Sequence, residues 1–418
     1  MGSRRSHISR APVRAAVAFL IASSLLVVAG SAQSAPERRE ATVGVITFGA
    51  SLSLTGGLAA ESRTVKDGYD FMIRHLNRRG GITINGKRYR FAIKYYDDES
   101  NANTSVRLYE KLIVQDKVKL LLGPYSSGVT LAASTVSEKH RLPMVVAHAA
   151  TSSIYERGFK YLFATLNSVD QYSGPILRMA AGLRPKPKTI ALIAENALFP
   201  QAGINAAEAQ AKVHGFEVIY KGSYPTGTPD FSTLLATIKD RKPDILIAGG
   251  YTGDMIQLMR QSAELKLTVP LTGFLLGPTV PGFIDSLRRD AEYLLEPVQW
   301  SANMNRRDQL FGWTAGQYAK LFQKEVGYFP DYHPPQSSAA ILVYYHALRK
   351  AQSLDPQKVR AQIAKTNIQT FYGPVRFNAK GQNIAKSMAV IQVQGGKPWV
   401  IYPERFAQRK LIYPAPSR

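Results

Sequence analysis

Cysteine is absent from all 418 residues. That excludes disulfide scaffolds, cysteine-liganded zinc, iron–sulfur clusters, cysteine nucleophiles and a lipid-modified N-terminal cysteine. Histidine is sparse, at seven residues (His7, His75, His140, His148, His214, His333 and His346), and none lies in H-x-x-x-H or H-E-x-x-H spacing. No G-x-x-x-x-G-K-[ST] phosphate loop is present, and no G-x-G-x-x-G follows the first strand of either half of the chain. The run from Gly123 to Gly128 misses the G-x-S-x-G nucleophile elbow because its glycines are one residue too far apart. Asp97-Asp98-Glu99 is the densest acidic run, yet consecutive side chains diverge and read as charges ahead of a helix starting after Asn101, not as metal ligands. No cofactor and no metal is expected. Beyond residue 40 no segment is long and apolar enough to cross a bilayer, so a soluble mature protein is expected.

Acidic residues are also scarce: 53 Lys+Arg face 30 Asp+Glu, a formal charge of +23. The basic residues spread along the whole chain instead of forming a stripe, which argues for a general positive field favouring anionic solutes and against nucleic acid as a partner. The N-terminus has the layout of an export signal. Arg4, Arg5, Arg10 and Arg14 precede the uncharged stretch 15–30, and Ala32-Gln33-Ser34 offers small residues for cleavage near Ser34. A twin-arginine pair stands at Arg4-Arg5, but His7 occupies the position where that signal has an apolar residue. Removing 1–34, with four Arg and no acid, leaves 23 − 4 = +19. An exported, cysteine-free protein with a large core suits a bacterial periplasm.

From Thr42 onward short apolar runs alternate with helical periodicity. A strand at 43–48 leads through the small-residue loop 51–57 to a helix with Val65, Tyr69, Met72, Ile73 and Leu76 on one face, ended by Gly80-Gly81. Strands follow at 91–96, 118–122 and 144–147, with helices at 102–115 and 130–140 between them. The same grammar restarts near residue 170, with helices at 172–183, 201–214 and 231–240 and strands at 190–194, 217–220 and 245–248. Strict alternation implies parallel sheets covered by helices on both faces. The halves also share a local pattern: Leu121-Leu122-Gly123-Pro124-Tyr125-Ser126-Ser127-Gly128 parallels Ile247-Ala248-Gly249-Gly250-Tyr251-Thr252-Gly253-Asp254. Ligands of open α/β sheets bind beyond the carboxyl ends of the strands. The loops there are rich in Ser, Thr, Gly and Tyr and poor in Asp, His and Lys, which suits holding a small solute better than transforming it. His148 alone among the histidines falls on such a loop, where it could touch a ligand but is read first as a surface or supporting imidazole; Tyr332-His333 before Pro334-Pro335 is read as a connection.

An ordered series of segments carries a resemblance. It comprises Ser53-Leu54-Thr55-Gly56-Gly57, Gly80-Gly81-Ile82, Tyr96-Asp97-Asp98, Gly123-Pro124-Tyr125-Ser126-Ser127, Ala149-Ala150-Thr151, Arg157-Gly158 and Tyr224-Pro225-Thr226-Gly227 before Asp230-Phe231. Val298-Gln299-Trp300 and Tyr372-Gly373-Pro374-Val375-Arg376-Phe377-Asn378 with Gly381 complete it. From about Thr42 to Pro403 the chain resembles periplasmic substrate-binding proteins of ABC transporters, of the branched-chain (Leu/Ile/Val) amino acid-binding type. The resemblance implies a type I periplasmic binding protein fold: two Rossmann-like lobes with parallel sheets, joined by a three-segment hinge near 165–167, 297–301 and 372–378. It puts the N-terminal lobe at 41–165 and 301–372, and the C-terminal lobe at 166–300 and 373–418. It implies a receptor that binds a small carboxylate-bearing solute, a hydrophobic amino acid first and an amine-free acid such as an aromatic carboxylate as the alternative, in an interlobe cleft closed by hinge motion. Its partners would be that small-molecule solute, an amino acid or organic acid, and an ABC permease in the inner membrane.

Carried over residue by residue, the resemblance implies that Ser127, with Ser126 beside it, and Thr151 hold a ligand carboxylate. Tyr125 lines a wall, Ala149 offers its carbonyl, and Tyr251 and Phe199 face the ligand from the second lobe, Phe199 standing where many relatives carry Tyr. Neutral donors at helix N-termini hold an anion without a buried counter-charge, although a serine there also serves as a simple cap. One departure stands out. The acid that pairs with a ligand ammonium in this family falls, by ungapped reading, at Leu275. A buried ammonium without an anion is strongly disfavoured. Either Glu195 or Asp254 replaces that acid, or the solute carries no ammonium. Alternatives to a transport receptor are a sensory receptor on the same fold and, far less favoured, a secreted hydrolase using Ser126 or Ser127.

Overall fold

The computed structural model describes residues 43–304 and 306–416; the expected export signal and its cleavage near Ser34 fall outside them. Strand β1 (Gly44–Leu52) is buried on both faces over its second half, as a central strand of a parallel sheet must be. It pairs in parallel with β3 (Lys87–Asp97) and β4 (Leu120–Leu122), and the sheet continues through β5 (Met144–Val146) and β6 (Leu162–Ala164). A short β2 (Ile82–Ile84) closes the other edge antiparallel to β3, giving the order β2-β3-β1-β4-β5-β6. Helix α1 (Ala59–Arg78) buries Val65, Tyr69, Met72, Ile73 and Leu76, the stripe its periodicity dictates. Gly81 turns the chain out of α1 at φ +75°, where a Cβ would lie 1.9 Å from the Tyr89 carbonyl oxygen. Helices α2 (Ala102–Val114) and α3 (Ser127–His140) complete the crossovers of this sheet, and Asn101 caps α2 by accepting from the Thr104 amide at 3.0 Å.

The second sheet repeats the plan. Helix α4 (Ser173–Ala181), strand β7 (Thr189–Glu195), α5 (Leu198–His214), β8 (Glu217–Tyr224), α6 (Ser232–Arg241), β9 (Ile245–Gly249), α7 (Thr252–Glu264), β10 (Leu271–Phe274), α8 (Phe283–Leu287) and β11 (Leu295–Val298) follow in turn. The chain then returns to the first sheet with α9 (Ala315–Val326), α10 (His333–Ala351) and α11 (Pro356–Ala364). It forms a small antiparallel hairpin, β12 (Asn367–Gln369) with β13 (Pro374–Arg376), and ends by adding β14 (Ala389–Val393) and β15 (Pro398–Tyr402) to the second sheet. The second order is β15-β14-β11-β10-β9-β7-β8. The sheets are therefore parallel-rich but mixed: β2 and β14 run against the other strands and β15 pairs antiparallel with β14, which the alternation of strands and helices does not reveal.

What positions the site is the seating of α10. Gly68 of α1 has its Cα where any Cβ would meet the Pro334 backbone at 2.4 Å, so the two helices touch backbone to backbone. Further along, the fully buried Tyr344 puts its hydroxyl 2.7 Å from the Leu121 carbonyl and 2.8 Å from that of Pro143, tying α10 to β4 and the loop before β5. The first turn of α10 is thereby fixed against the carboxyl end of the first sheet.

Candidate functional site

A small chamber lies where the carboxyl ends of both sheets meet. One end of it is the start of α3. Strand β4 runs into Gly123-Pro124-Tyr125, and the backbone then swings through Ser126 at φ 74°, ψ 151°, a conformation that L residues avoid. Holding a non-glycine there costs about 1–3 kcal/mol, and such strain collects at binding and catalytic sites. The Ser126 hydroxyl accepts from the Val129 amide at 3.3 Å and faces Tyr251 across the cleft. Ser127 accepts from the Thr151 amide at 3.3 Å, joining the head of α3 to the loop after β5. The Thr151 hydroxyl is buried and, among the described residues, has no hydrogen-bond partner. Ser126, Ser127 and the adjacent Ala150 line the chamber.

The walls are aromatic. Tyr251 lies with its ring 6.2 Å from Tyr125 and 6.1 Å from Phe199, and Tyr172 packs on Phe199 at 5.8 Å. Phe199 sits in the first turn of α5, which begins three residues before the expected start. Of the remaining expected site residues, Ala149 is buried beside the chamber with its carbonyl accepting the Tyr155 hydroxyl at 2.7 Å. Leu275 points away. Its methyl group crowds Gly203 of α5 and Gly249 of β9, and Leu276 lines the chamber instead.

Two histidines form a wall that the sequence had assigned elsewhere. His148 is neither exposed nor peripheral. It is 7% exposed and stacked on His333 at 5.1 Å between ring centroids. Its Nε2 lies 2.7 Å from the Ser337 hydroxyl and its Nδ1 3.3 Å from the Gln336 amide nitrogen, an amide donor that leaves the ring proton on Nε2. Burial, with His333 alongside, holds His148 well below the usual imidazole range, so it is neutral at physiological pH. His333 opens α10. Asp331 contacts its Nδ1 at 2.5 Å, and its Nε2 lies 3.4 Å from the Tyr125 hydroxyl. Tyr332-His333 is thus part of the site and not merely a connection. No local motif could have found it, since His333 and His148 meet only because α10 packs on the first sheet.

The floor is a polar network between the segments that pass from sheet to sheet. Gln299 donates to the Tyr172 hydroxyl at 2.5 Å and accepts the Asn167 amide at 2.8 Å. The Tyr372 hydroxyl sits 2.8 Å from the Gln299 side-chain oxygen and 2.9 Å from that of Gln336. Beneath it, Arg306 and Lys386 both donate to the carbonyls of Gln299 and Tyr372. Burial lowers both, Arg306 to about 10 and Lys386 well below the usual lysine range.

The acids stand outside the lining. Glu61 of α1 accepts the Thr252 amide at 2.9 Å and its hydroxyl at 2.5 Å, linking the first sheet's helices to the head of α7. Glu195 accepts the Thr226 hydroxyl at 2.6 Å, and burial raises its carboxyl, as it does that of Asp254. One oxygen each of Glu61 and Glu195 is buried without a partner among the described residues. No group of three His, Cys, Asp or Glu among the described residues could hold a metal ion. The arrangement offers hydroxyls, amides, imidazoles and aromatic faces around a small enclosed space.

The fold and this interlobe chamber define a type I periplasmic binding protein. A structure of a branched-chain amino acid transporter substrate-binding protein, LivJ from Streptococcus pneumoniae in complex with isoleucine, superposes with a TM-score of 0.76 at 18% identity, covering 86% of this chain and 100% of that one. A solute-binding protein of an ABC transporter from Rhodopseudomonas palustris BisB5, in complex with 3,4-dihydroxybenzoic acid, gives 0.73 at 22% identity, covering 88% and 98%. Residues 45–397 match the family model described as periplasmic binding protein, and the chain belongs to that family. It is 25% identical over 390 residues to the Leu/Ile/Val-binding protein homolog 8 of Brucella abortus (strain 2308), covering 88% of this chain and 93% of that relative. The family is one of solute-binding proteins serving ABC transporters, and no helix among the described residues is long and apolar enough to cross a membrane.

Proposed function

We propose that this protein is the periplasmic receptor of an ABC uptake transporter and that its solute is a small aromatic carboxylate without an ammonium group. The N-terminal lobe, 41–165 and 301–372, would close on the C-terminal lobe, 166–300 and 373–418, and the closed form would be presented to an inner-membrane permease with no chemical step. The division near 372 falls in the turn of the β12–β13 hairpin, beside the Gln299–Tyr372 network. The carboxylate would meet the amides and hydroxyls of Ser126, Ser127 and Thr151, where a helix N-terminus already favours an anion. One observation carries the choice of solute. The chamber lining joins aromatic rings and imidazoles to serine, glutamine and aliphatic side chains and contains no carboxylate. Solved relatives bind both classes, one carrying isoleucine and another benzoate.

An amino acid is the second reading. It is favoured by the unpartnered buried oxygens of Glu61 and Glu195, which an ammonium would satisfy. A thermal-shift and calorimetric comparison of benzoate and 4-hydroxybenzoate with leucine and phenylalanine separates the two. A ligand at 100 times its Kd stabilises the fold by about 2.7 kcal/mol, which moves Tm visibly. Shifts from the amine-free acids alone support the first reading; shifts from the amino acids alone overturn it.

A further inference from the structure

Among the described residues that line the chamber, none is Lys, Arg, Asp or Glu. A carboxylate entering it therefore meets neutral donors alone, unless a lining group takes up a proton. His148 and His333 are the two that can do so near neutral pH. Their surroundings differ. The Gln336 amide faces Nδ1 of His148 and the Ser337 hydroxyl its Nε2, so a second proton would set two N–H groups against each other. His333 instead has an acid on its far side. One oxygen of Asp331 accepts the His333 backbone amide at 3.1 Å and the other faces Nδ1 at 2.5 Å, with both side chains buried. That contact keeps a proton on Nδ1 and leaves Nε2 on the side of Tyr125, another lining residue, whose hydroxyl at 3.4 Å is long for a hydrogen bond.

The other titratable groups around this pair are neutral or acidic. Tyr332 stacks on His333 at 4.2 Å from its own segment, and Tyr125 and His148 approach from the loops of the first sheet. Tyr318 of α9 and Glu296 of β11 feel the charge of Asp331, and Glu61 of α1 acts on Tyr125. The cations beneath the chamber, Arg306 and Lys386, are spent on the carbonyls of Gln299 and Tyr372. An anion in so small a space, about 30 Å³, lies at short range from His333 and places that imidazole between two carboxylates. Its affinity for a proton then rises, and by linkage the proton strengthens anion binding by the same factor.

We propose that His333 supplies the balancing charge of the site: the solute's carboxylate is bound together with a proton drawn from solvent, which rests on Nε2 of His333 as an imidazolium backed by Asp331. No bond of the solute is made or broken, and the proton leaves with it. This inference rests on the carboxylate reading given above and adds the residue that answers the charge.

Calorimetry of benzoate from pH 5.5 to 9, where the acid stays ionised, reads the proton directly when each pH is repeated in buffers of unlike ionisation enthalpy. Up to one proton is taken up per benzoate over part of that range, and there the Kd rises with pH by up to about tenfold per unit. His333→Gln removes both the uptake and the pH dependence. Asp331→Asn keeps an acceptor at Nδ1 without its charge and moves the weakening to lower pH, whereas Glu296→Gln leaves the profile where it was. Histidine side-chain nitrogen NMR of the unaltered protein shows one imidazole becoming imidazolium as benzoate is added, a readout that needs no variant to fold. Benzoate binding with a flat pH profile and no proton exchange overturns the role of His333 and leaves the carboxylate reading standing. A slope that survives in folded His333→Gln overturns that role too. Failure of benzoate and 4-hydroxybenzoate to bind at any pH, with leucine bound, overturns the carboxylate reading itself.

Discussion

Closure can be tested on a single hydroxyl. Glu61 belongs to a helix packed on the first sheet and Thr252 begins a helix of the second, yet one carboxylate oxygen takes both the amide and the hydroxyl of Thr252. Replacing Thr252 with Val keeps the branched shape and the amide bond and removes only the hydroxyl. A hydrogen bond to a charged group contributes about 1.5–3 kcal/mol. The bond exists only when the two halves are together, so its loss lowers the closed-to-open ratio by about 10- to 150-fold, at 1.4 kcal/mol per tenfold. Where the free protein is mostly open, this appears as weaker apparent affinity by the same factor; where it is mostly closed, as an increase in the dimensions of the free protein. Small-angle scattering of the free protein and calorimetry with the bound acid cover both cases. Unchanged dimensions together with unchanged affinity would refute the idea that Glu61 and Thr252 clasp the two halves.

Three further outcomes follow from the same contacts. Ser127→Ala combined with Thr151→Val removes two donors from the anion end and weakens a carboxylate ligand by more than about tenfold, since each charge-assisted bond is worth about 1.5–3 kcal/mol; calorimetry on a normally melting double variant checks it. Ser126→Gly releases backbone strain worth about 1–3 kcal/mol and raises Tm, while the lost hydroxyl lowers affinity, so the two readouts move in opposite directions. Glu296 of β11 is fully buried and accepts from the Thr279 amide at 2.7 Å, and burial raises it to about 8 from an ordinary 4.5. Between those values the unfolded chain is ionised while the folded one keeps its proton, so stability falls as pH rises through about 4.5–8, by at most about 1.4 kcal/mol per pH unit. Glu296→Gln flattens that slope in melting curves taken from pH 5 to 9, and an unaltered slope counts against it.

How far the sequence reaches depends on which interactions are local. The alternation of strands and helices was legible because apolar runs and 3.6-residue stripes are written into neighbouring residues; the stripe Val65, Tyr69, Met72, Leu76 is the buried face of α1 as expected. The positions of Ser126, Ser127, Phe199 and Tyr251 around one chamber were also readable, because each follows the carboxyl end of a strand. The reversed β14 and its pairing with β15 were not, since strand direction is decided by what the chain packs on after it returns from α11.

The misplacement of Leu275 is a one-residue matter with a large consequence. Side chains leaving a strand alternate between faces, so an ungapped count that is off by one exchanges a core residue for a site residue. Leu275 packs behind α5 while Leu276 meets the chamber, and both are Leu, so composition could not tell them apart. The histidine wall escaped for the opposite reason. Gln336 bonds His148 from 188 residues away, and the prolines ahead of it mark a turn in any local reading. Pro at the start of a helix is tolerated because its missing N–H would have no partner there. Pro334-Pro335 are therefore the first turn of α10, and they present His333 and Gln336 to the cleft. On the aromatic-carboxylate proposal, the same packing that hid these residues from the sequence would also make the chamber selective. A wall fixed by helix-to-helix backbone contact at Gly68 would resist a branched aliphatic side chain, whereas a flat ring could lie along His148 and His333 as they already lie on each other.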